Sequence, residues 1–150
     1  MPIGDICTRD VVIAGPDMTV REAARLMAQH HVGNLVVVRE QAKGRVVPIG
    51  IITDRDIVRN VVAEALDASV FTLGDLGIRE LVTARSDQGI FECMQNMRMN
   101  GIRRMPVVDQ DGRLVGIVSL DDLIQLLAEE MGELGKVISR EQAHEEAIRR

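Results

Sequence analysis

Residues 36–58 read VVVREQAKGRVVPIGIITDRDIV, and residues 106–124 read PVVDQDGRLVGIVSLDDLI. The two stretches are versions of one pattern. Val37 and Val38 match Val107 and Val108 at an offset of 70, whereas Gly50, Ile51 and Ile52 match Gly116, Ile117 and Val118 at an offset of 66. The change of four is expected to be a longer loop in the first copy. A repeat of this period decides the fold, because each copy is one supersecondary unit that must bury its apolar face against the other.

Upstream, Val20, Met27 and Val32 fall opposite Ile90, Met97 and Ile102, again 70 apart. Each copy therefore reads as a short strand (residues 11–14 and 81–84), a helix, two strands joined by a turn, and a closing helix (residues 54–66 and 120–131). The helix over residues 19–30 places Val20, Ala23, Ala24, Met27 and Ala28 at helical spacing, and its counterpart places Ile90, Cys93, Met94 and Met97 likewise. Such a methionine stripe is core filling. Asp111-Gly112 signals a tight hairpin, and Lys43-Gly44 lies in the longer loop of the first copy. Residues 35–38 and 105–108 are continuous apolar runs, as expected of strands buried on both faces. A polar, glycine-containing linker over residues 67–77 joins the halves. The chain thus divides into residues 1–70 (N-terminal segment and first repeat), 71–131 (linker and second repeat) and 132–150 (a helical tail). In that tail Leu127, Met131, Leu134 and Ile138 form one narrow apolar stripe, which needs something to pack against.

Composition bounds the function. Of 150 residues 46% are hydrophobic, ample for a core, but only 1% are aromatic, so that core must be aliphatic. The formal net charge of -5 carries no general footprint for nucleic acid or anionic membrane. No apolar run approaches the roughly 20 residues of a membrane span. Two cysteines without metal spacing imply a reducing compartment, and a cytoplasmic location is expected.

The chemistry-bearing residues recur with the repeat. Gly50-Ile51-Ile52-Thr53-Asp54-Arg55-Asp56 and Gly116-Ile117-Val118-Ser119-Leu120-Asp121-Asp122 each place a hydroxyl three residues before an Asp at a strand end and helix start. One reading is a capping box, both side chains satisfying free backbone amides. The other is a ligand site: a carboxylate fixed there can accept hydrogen bonds from both ribose hydroxyls, and adjacent helix amides suit phosphate. Arg103-Arg104 is a basic exception in an acidic chain, with Arg55 available to assist, and Arg suits forked contacts to phosphate. A solvated pair, or a salt bridge to Asp54 or Asp121, is the alternative.

These repeats resemble cystathionine β-synthase (CBS) domains, and the pair resembles a Bateman module. GIITDRDI and RRMPVVDQDGRLVGIVSLDDL carry the resemblance, which spans about residues 10–127. It implies a mixed α/β fold of two β-α-β-β-α repeats, packed through their sheets with pseudo-twofold symmetry. It also implies two clefts for AMP, ADP, ATP, S-adenosylmethionine or a related adenosine compound. Carried over, Thr53 and Asp56 line one cleft with Val82, Ile102, Arg103, Ile51 and Gly33. Ser119 and Asp122 line the other with Val12, Val32, Gly33, Arg103 and Ile117. Arg104 takes the place of a phosphate-directed basic residue. The first copy has Gly33-Asn34 there instead, so the clefts are expected to be unequal. The family further implies a homodimer and an effector on another polypeptide.

Catalysis is not expected. His30, His31 and His144 lack a partnered nucleophile or ligand spacing, Cys93 lies on a core face, and no Walker-type or GxGxxG loop is present. The rival within the same fold is an interaction module that binds no small molecule.

Overall fold

A computed structural model describes residues 1–77 and 80–150. The first copy comprises β1 (Ile13–Ala14), α1 (Val20–His30), β2 (Asn34–Gln41), β3 (Arg45–Thr53) and α2 (Asp54–Ile57). The second comprises β4 (Ala84–Arg85), α3 (Ile90–Asn100), β5 (Arg104–Val108), β6 (Leu114–Ser119) and α4 (Leu120–Arg149). Each forms a three-stranded sheet, in the order β1-β2-β3 or β4-β5-β6, with the first pair parallel and the second antiparallel. β3 and β6, which are equivalent strands, meet between the copies, as an approximate twofold relation requires.

The opening strands are shorter than residues 11–14 and 81–84. Ladder pairing covers only Ile13↔Val36 with Ala14↔Val37, and Ala84↔Val107 with Arg85↔Val108. The four additional residues of the first copy lengthen its hairpin instead of its loop. β2 and β3 stay in register out to Gln41↔Arg45, whereas β5 and β6 end at Val108↔Leu114. Both ladders shift register at the same point, Val37/Val38 and Val107/Val108, so the bulge was duplicated with the strands. The tight turn at Asp109–Arg113 uses Gly112 at φ 79°, where a side chain would be strained.

Helix faces follow the pattern with one correction. Val20, Ala23 and Met27 of α1 are buried, but Ala24 and Ala28 are exposed. The sheet is covered by a stripe at i, i+3 and i+7, completed by partly buried Leu26, and the small alanines turn outward. On α3, Cys93 and Met97 are buried and Ile90 and Met94 pack beside them. The closing helices diverge. In the first copy the α-helix lasts only from Asp54 to Ile57 and widens into a π-helical turn, Val58–Val62, in which Ala63 N–H bonds back to the Val58 carbonyl. Ile57 and Val61 are buried in the core, and Val58 and Val62 stay outside. In the second copy α4 runs on through Gly132 and Gly135, so residues 120–131 and the tail are one helix of 30 residues.

The segments that precede the two copies are exchanged. Residues 2–8 come before the first copy yet pack on the second. Ile3, fully buried in the second core, donates its N–H to Gln88, Gly4 N–H bonds to Ser86, and Thr8 exchanges two backbone bonds with Ile117. The linker does the converse: Leu73, fully buried in the first core, donates to Met18, and Gly74 donates to Pro16. These are the same contacts displaced by 70 residues, Pro2↔Gly89 matching Thr72↔Thr19. The N-terminal segment thus precedes the first copy in the chain and packs on the second. Neither copy has a complete core without the other's leading segment. Close fit follows: a Cβ on Gly116 would lie 2.5 Å from the Thr8 carbonyl oxygen and 2.7 Å from Cys7 Sγ.

Candidate functional site: two unequal clefts between the copies

At the carboxyl end of β3 the chain turns into α2, whose first amides have no partner within the helix. Thr53 Oγ1 accepts from Asp56 N–H (3.1 Å), and Asp56 Oδ2 accepts from Thr53 N–H (3.0 Å). The second copy repeats this between Ser119 and Asp122 at 3.1 and 2.8 Å. Both capping boxes are formed. Each uses only one carboxylate oxygen: among the described residues, no group bonds Oδ1 of Asp56 or Asp122. The cap thus fixes the carboxylate and leaves it an acceptor, so capping and ligand binding are compatible roles of one side chain.

Both carboxylates are half-buried on the walls of clefts between the copies. The first cleft has a volume of about 960 Å³ and carries Thr53, Asp56, Arg55, Ile51 and Gly33 from the first copy, facing Val82, Ile102, Arg103 and Arg104 from the second. The second, about 260 Å³, carries Ser119, Asp122 and Ile117, facing Val12 and Val32. Gly33 and Arg103, expected in both, line only the first. Arg104 reaches both.

Several wall residues escaped sequence reasoning. Asn60 and Glu80 join the first cleft, and Thr8, Asp10, Asn34 and Asp121 join the second. A signal existed for part of this set: Ile3-Gly4-Asp5 and Leu73-Gly74-Asp75 stand 70 apart, so the repeat begins upstream of residue 10.

The cations differ in freedom. Arg103 pairs with Asp121 at 3.4 Å, both side chains being largely solvated at 69% and 78% exposure. Such a pair contributes at most about 1 kcal/mol and yields readily to a better anion. Arg104 is half-buried and, among the described residues, has no acidic partner. Beside the second cleft, burial pushes the Cys7 thiol up from its ordinary pKa; Arg9 opposes that shift and Asp122 adds to it. Burial, with a smaller push from the charge of Glu92, raises the Cys93 thiol inside the second core to about 11. Among the described residues, no cluster of His, Cys, Asp or Glu is placed to hold a metal ion, and no helix is long and apolar enough to cross a membrane.

The CBS domain family model matches residues 3–63 and 73–129. The chain belongs to the CBS domain family. The second match starts at Leu73, where the exchanged segment begins. The chain is 35% identical over 144 residues to the CBS domain-containing protein YhcV of Bacillus subtilis, covering 95% of this chain and 98% of the relative. It is 36% identical over 124 residues to an uncharacterised protein of Methanopyrus kandleri, covering 83% of this chain and spanning 61% of that relative's length. Among solved CBS structures, the domain pair of protein MJ0100 in complex with 5'-methylthioadenosine and S-adenosyl-L-methionine superposes with a TM-score of 0.72, at 27% identity and over 87% of this chain and 98% of that one. A CBS domain protein from Pyrobaculum aerophilum complexed with AMP gives a TM-score of 0.70 at 28% identity, over 82% of this chain and 90% of that one.

Proposed function

We propose that this CBS pair is a non-enzymatic regulatory module that takes an adenosine-containing ligand, AMP, ADP, ATP or S-adenosylmethionine, in the clefts between its two copies. One observation carries the reading: the carboxylates of Asp56 and Asp122 are locked by their caps while Oδ1 of each remains without a partner among the described residues. A vicinal diol supplies two O–H donors to such a carboxylate, and apolar Ile51, Val82 and Ile102 supply a wall for a purine.

The first cleft suits a nucleotide. Its size falls within the range of small-molecule sites, and Arg55, Arg103 and Arg104 are present for phosphate. The second is smaller, and its one arginine meets Asp10, Asp121 and Asp122. It suits an uncharged or cationic nucleoside.

A ligand held by both copies favours one arrangement of the halves, and a partner that prefers this arrangement feels the ligand by linkage. The effector is then another polypeptide, the module is a cytoplasmic homodimer, and neither nucleic acid nor membrane is its target. Calorimetry and thermal shift with AMP, ADP, ATP, S-adenosylmethionine and NAD test this. A ligand at 100 times its dissociation constant adds about 2.7 kcal/mol of stability. If none of the five moves the melting temperature or gives binding heat, the capped carboxylates are structural only, and the interaction-module reading stands.

A further inference from the structure

Residues 2–12 cross from the second copy to the first, and the second cleft lies along the crossing. One end is pinned to the second copy: Ile3 is fully buried in its core, and Thr8 and Ile117 exchange two backbone bonds, both 2.9 Å. The other end is pinned to the first copy, where the Val12 carbonyl accepts from Val36 N–H at 3.1 Å. Thr8, Asp10, Val11 and Val12 share the cleft with Ile117, Ser119 and Asp122. The pinned segment is also tied to itself. Ile6 and Cys7 donate their N–H groups to the Ile3 carbonyl, and the Arg9 guanidinium donates to the Gly4 carbonyl at 2.9 Å. Toward the body it offers little apolar area: of residues 2–12 only Ile3 and Gly4 are buried. The joint is backbone against backbone. A Cβ on Gly4 would lie 2.8 Å from the Ser86 carbonyl oxygen, and one on Gly116 would lie 2.5 Å from that of Thr8. Segments held by hydrogen bonds and few apolar contacts open at a lower free energy than a packed core.

We infer that residues 2–8 dock and release as one strap without unfolding either core, and that a ligand in the second cleft holds the strap shut. The second part rests on the nucleoside reading of that cleft. Linkage gives its direction. Thr8 and Asp10 stand in the wall because Thr8 is pinned to Ile117, so a ligand that touches them binds the docked state better and shifts the equilibrium toward it. Occupancy is thereby turned into order of a segment, beyond any choice between arrangements of the halves. Among the described residues, none of 2–12 lines the first cleft, so a ligand there does not drive the strap.

Amide hydrogen exchange of the full chain, read residue by residue by NMR, tests both parts. The joint protects the amides of Ile3, Gly4, Thr8 and Ile117. These four should share one protection factor, at least about tenfold below that of the buried turn of α3 around Met97. Ile3→Val should accelerate all four by the same factor, about fivefold. Protection equal to that of α3 would mean release only by global unfolding and overturns the strap, as do unequal responses to Ile3→Val. 5'-Methylthioadenosine at 100 times its dissociation constant should slow the four by at least about tenfold, against a ceiling of about 100-fold. Unchanged rates in a sample whose Ser119 and Asp122 amide signals shift with the nucleoside overturn the coupling. If those signals do not shift, the second-cleft reading fails and takes the coupling with it, while Ile3→Val still decides the strap.

Discussion

In the first cleft Arg55, Arg103 and Arg104 share the wall with Asp54, Asp56 and Glu80; in the second, Arg104 stands alone against Asp10, Asp121 and Asp122. The equivalent positions explain the difference. Arg103 and Arg104 of the second copy stand 70 residues after Gly33 and Asn34 of the first, of which only Asn34 lines the second cleft, and where the first cleft has Arg55 the second has Asp121, 66 residues later. The apolar and capping positions did not diverge in kind: Val82 answers Val12, Ile102 answers Val32, Ile51 answers Ile117, and both caps are closed. What the fold needs was kept in both copies. Charge, which the fold does not need there, was kept in one.

The largest effect should come from removing the first cleft's carboxylate. Asp56→Ala is expected to weaken AMP by about 100-fold, or about 2.8 kcal/mol, whereas Asp122→Ala should change AMP affinity by less than about threefold. Calorimetry on both variants decides this. Equal losses would mean that the clefts are not distinguished by charge.

Arg104→Ala sharpens the same comparison, because Arg104 reaches both clefts but has phosphate to meet in only one. A hydrogen bond to a charged group contributes about 1.5–3 kcal/mol. AMP should weaken by about 30-fold, or about 2 kcal/mol, and 5'-methylthioadenosine should hardly change. A similar loss for both ligands would place Arg104 on the nucleoside rather than on phosphate.

Gly116→Ala tests the exchanged segment under the second cleft. The added methyl meets the Thr8 carbonyl and Cys7 Sγ, so the N-terminal segment must shift, at a cost of about 1–3 kcal/mol. Release of that segment removes the burial that holds the Cys7 pKa above its ordinary value. The thiolate fraction near pH 8 then rises, and Cys7 should alkylate faster in Gly116→Ala than in wild type, while Cys93 stays protected in its core. The AMP affinity of the first cleft should be unaffected.

The repeat and the aliphatic cores were legible because period and spacing are properties of the chain itself, whereas the wall residues named for each cleft came from the resemblance to CBS domains and left out Asn60, Glu80, Thr8, Asp10 and Asn34. The exchange of leading segments was not legible, although Ile3-Gly4-Asp5 and Leu73-Gly74-Asp75 repeat at the same offset. A pattern shows that two segments are alike, but not which core each one enters. Gly33 and Arg103, each placed in both clefts by the resemblance, line only the first, whereas Arg104, one residue on, lines both. The π turn after Ile57 was not legible, because Ile57 and Val61 stand four residues apart and an ordinary α-helix would place both on one face.

The caps should give the smallest effect, and an equal one. Thr53→Ala and Ser119→Ala each remove the hydroxyl that accepts from an Asp N–H at 3.1 Å. Each should cost about 1 kcal/mol, or about 2–4 °C in melting temperature for a chain of this size. The longer α4 has more helix to lose than α2, but a cap acts only on the first turn, so helix length should not separate the two values. The consequences for ligand binding should differ. In each variant the Asp carboxylate keeps the backbone N–H that donates to it, but the site loses the hydroxyl beside it. Thr53→Ala is therefore expected to weaken AMP severalfold beyond its stability cost, and Ser119→Ala should not. If the two variants match in both stability and AMP affinity, charge alone does not rank the clefts, and AMP occupies both.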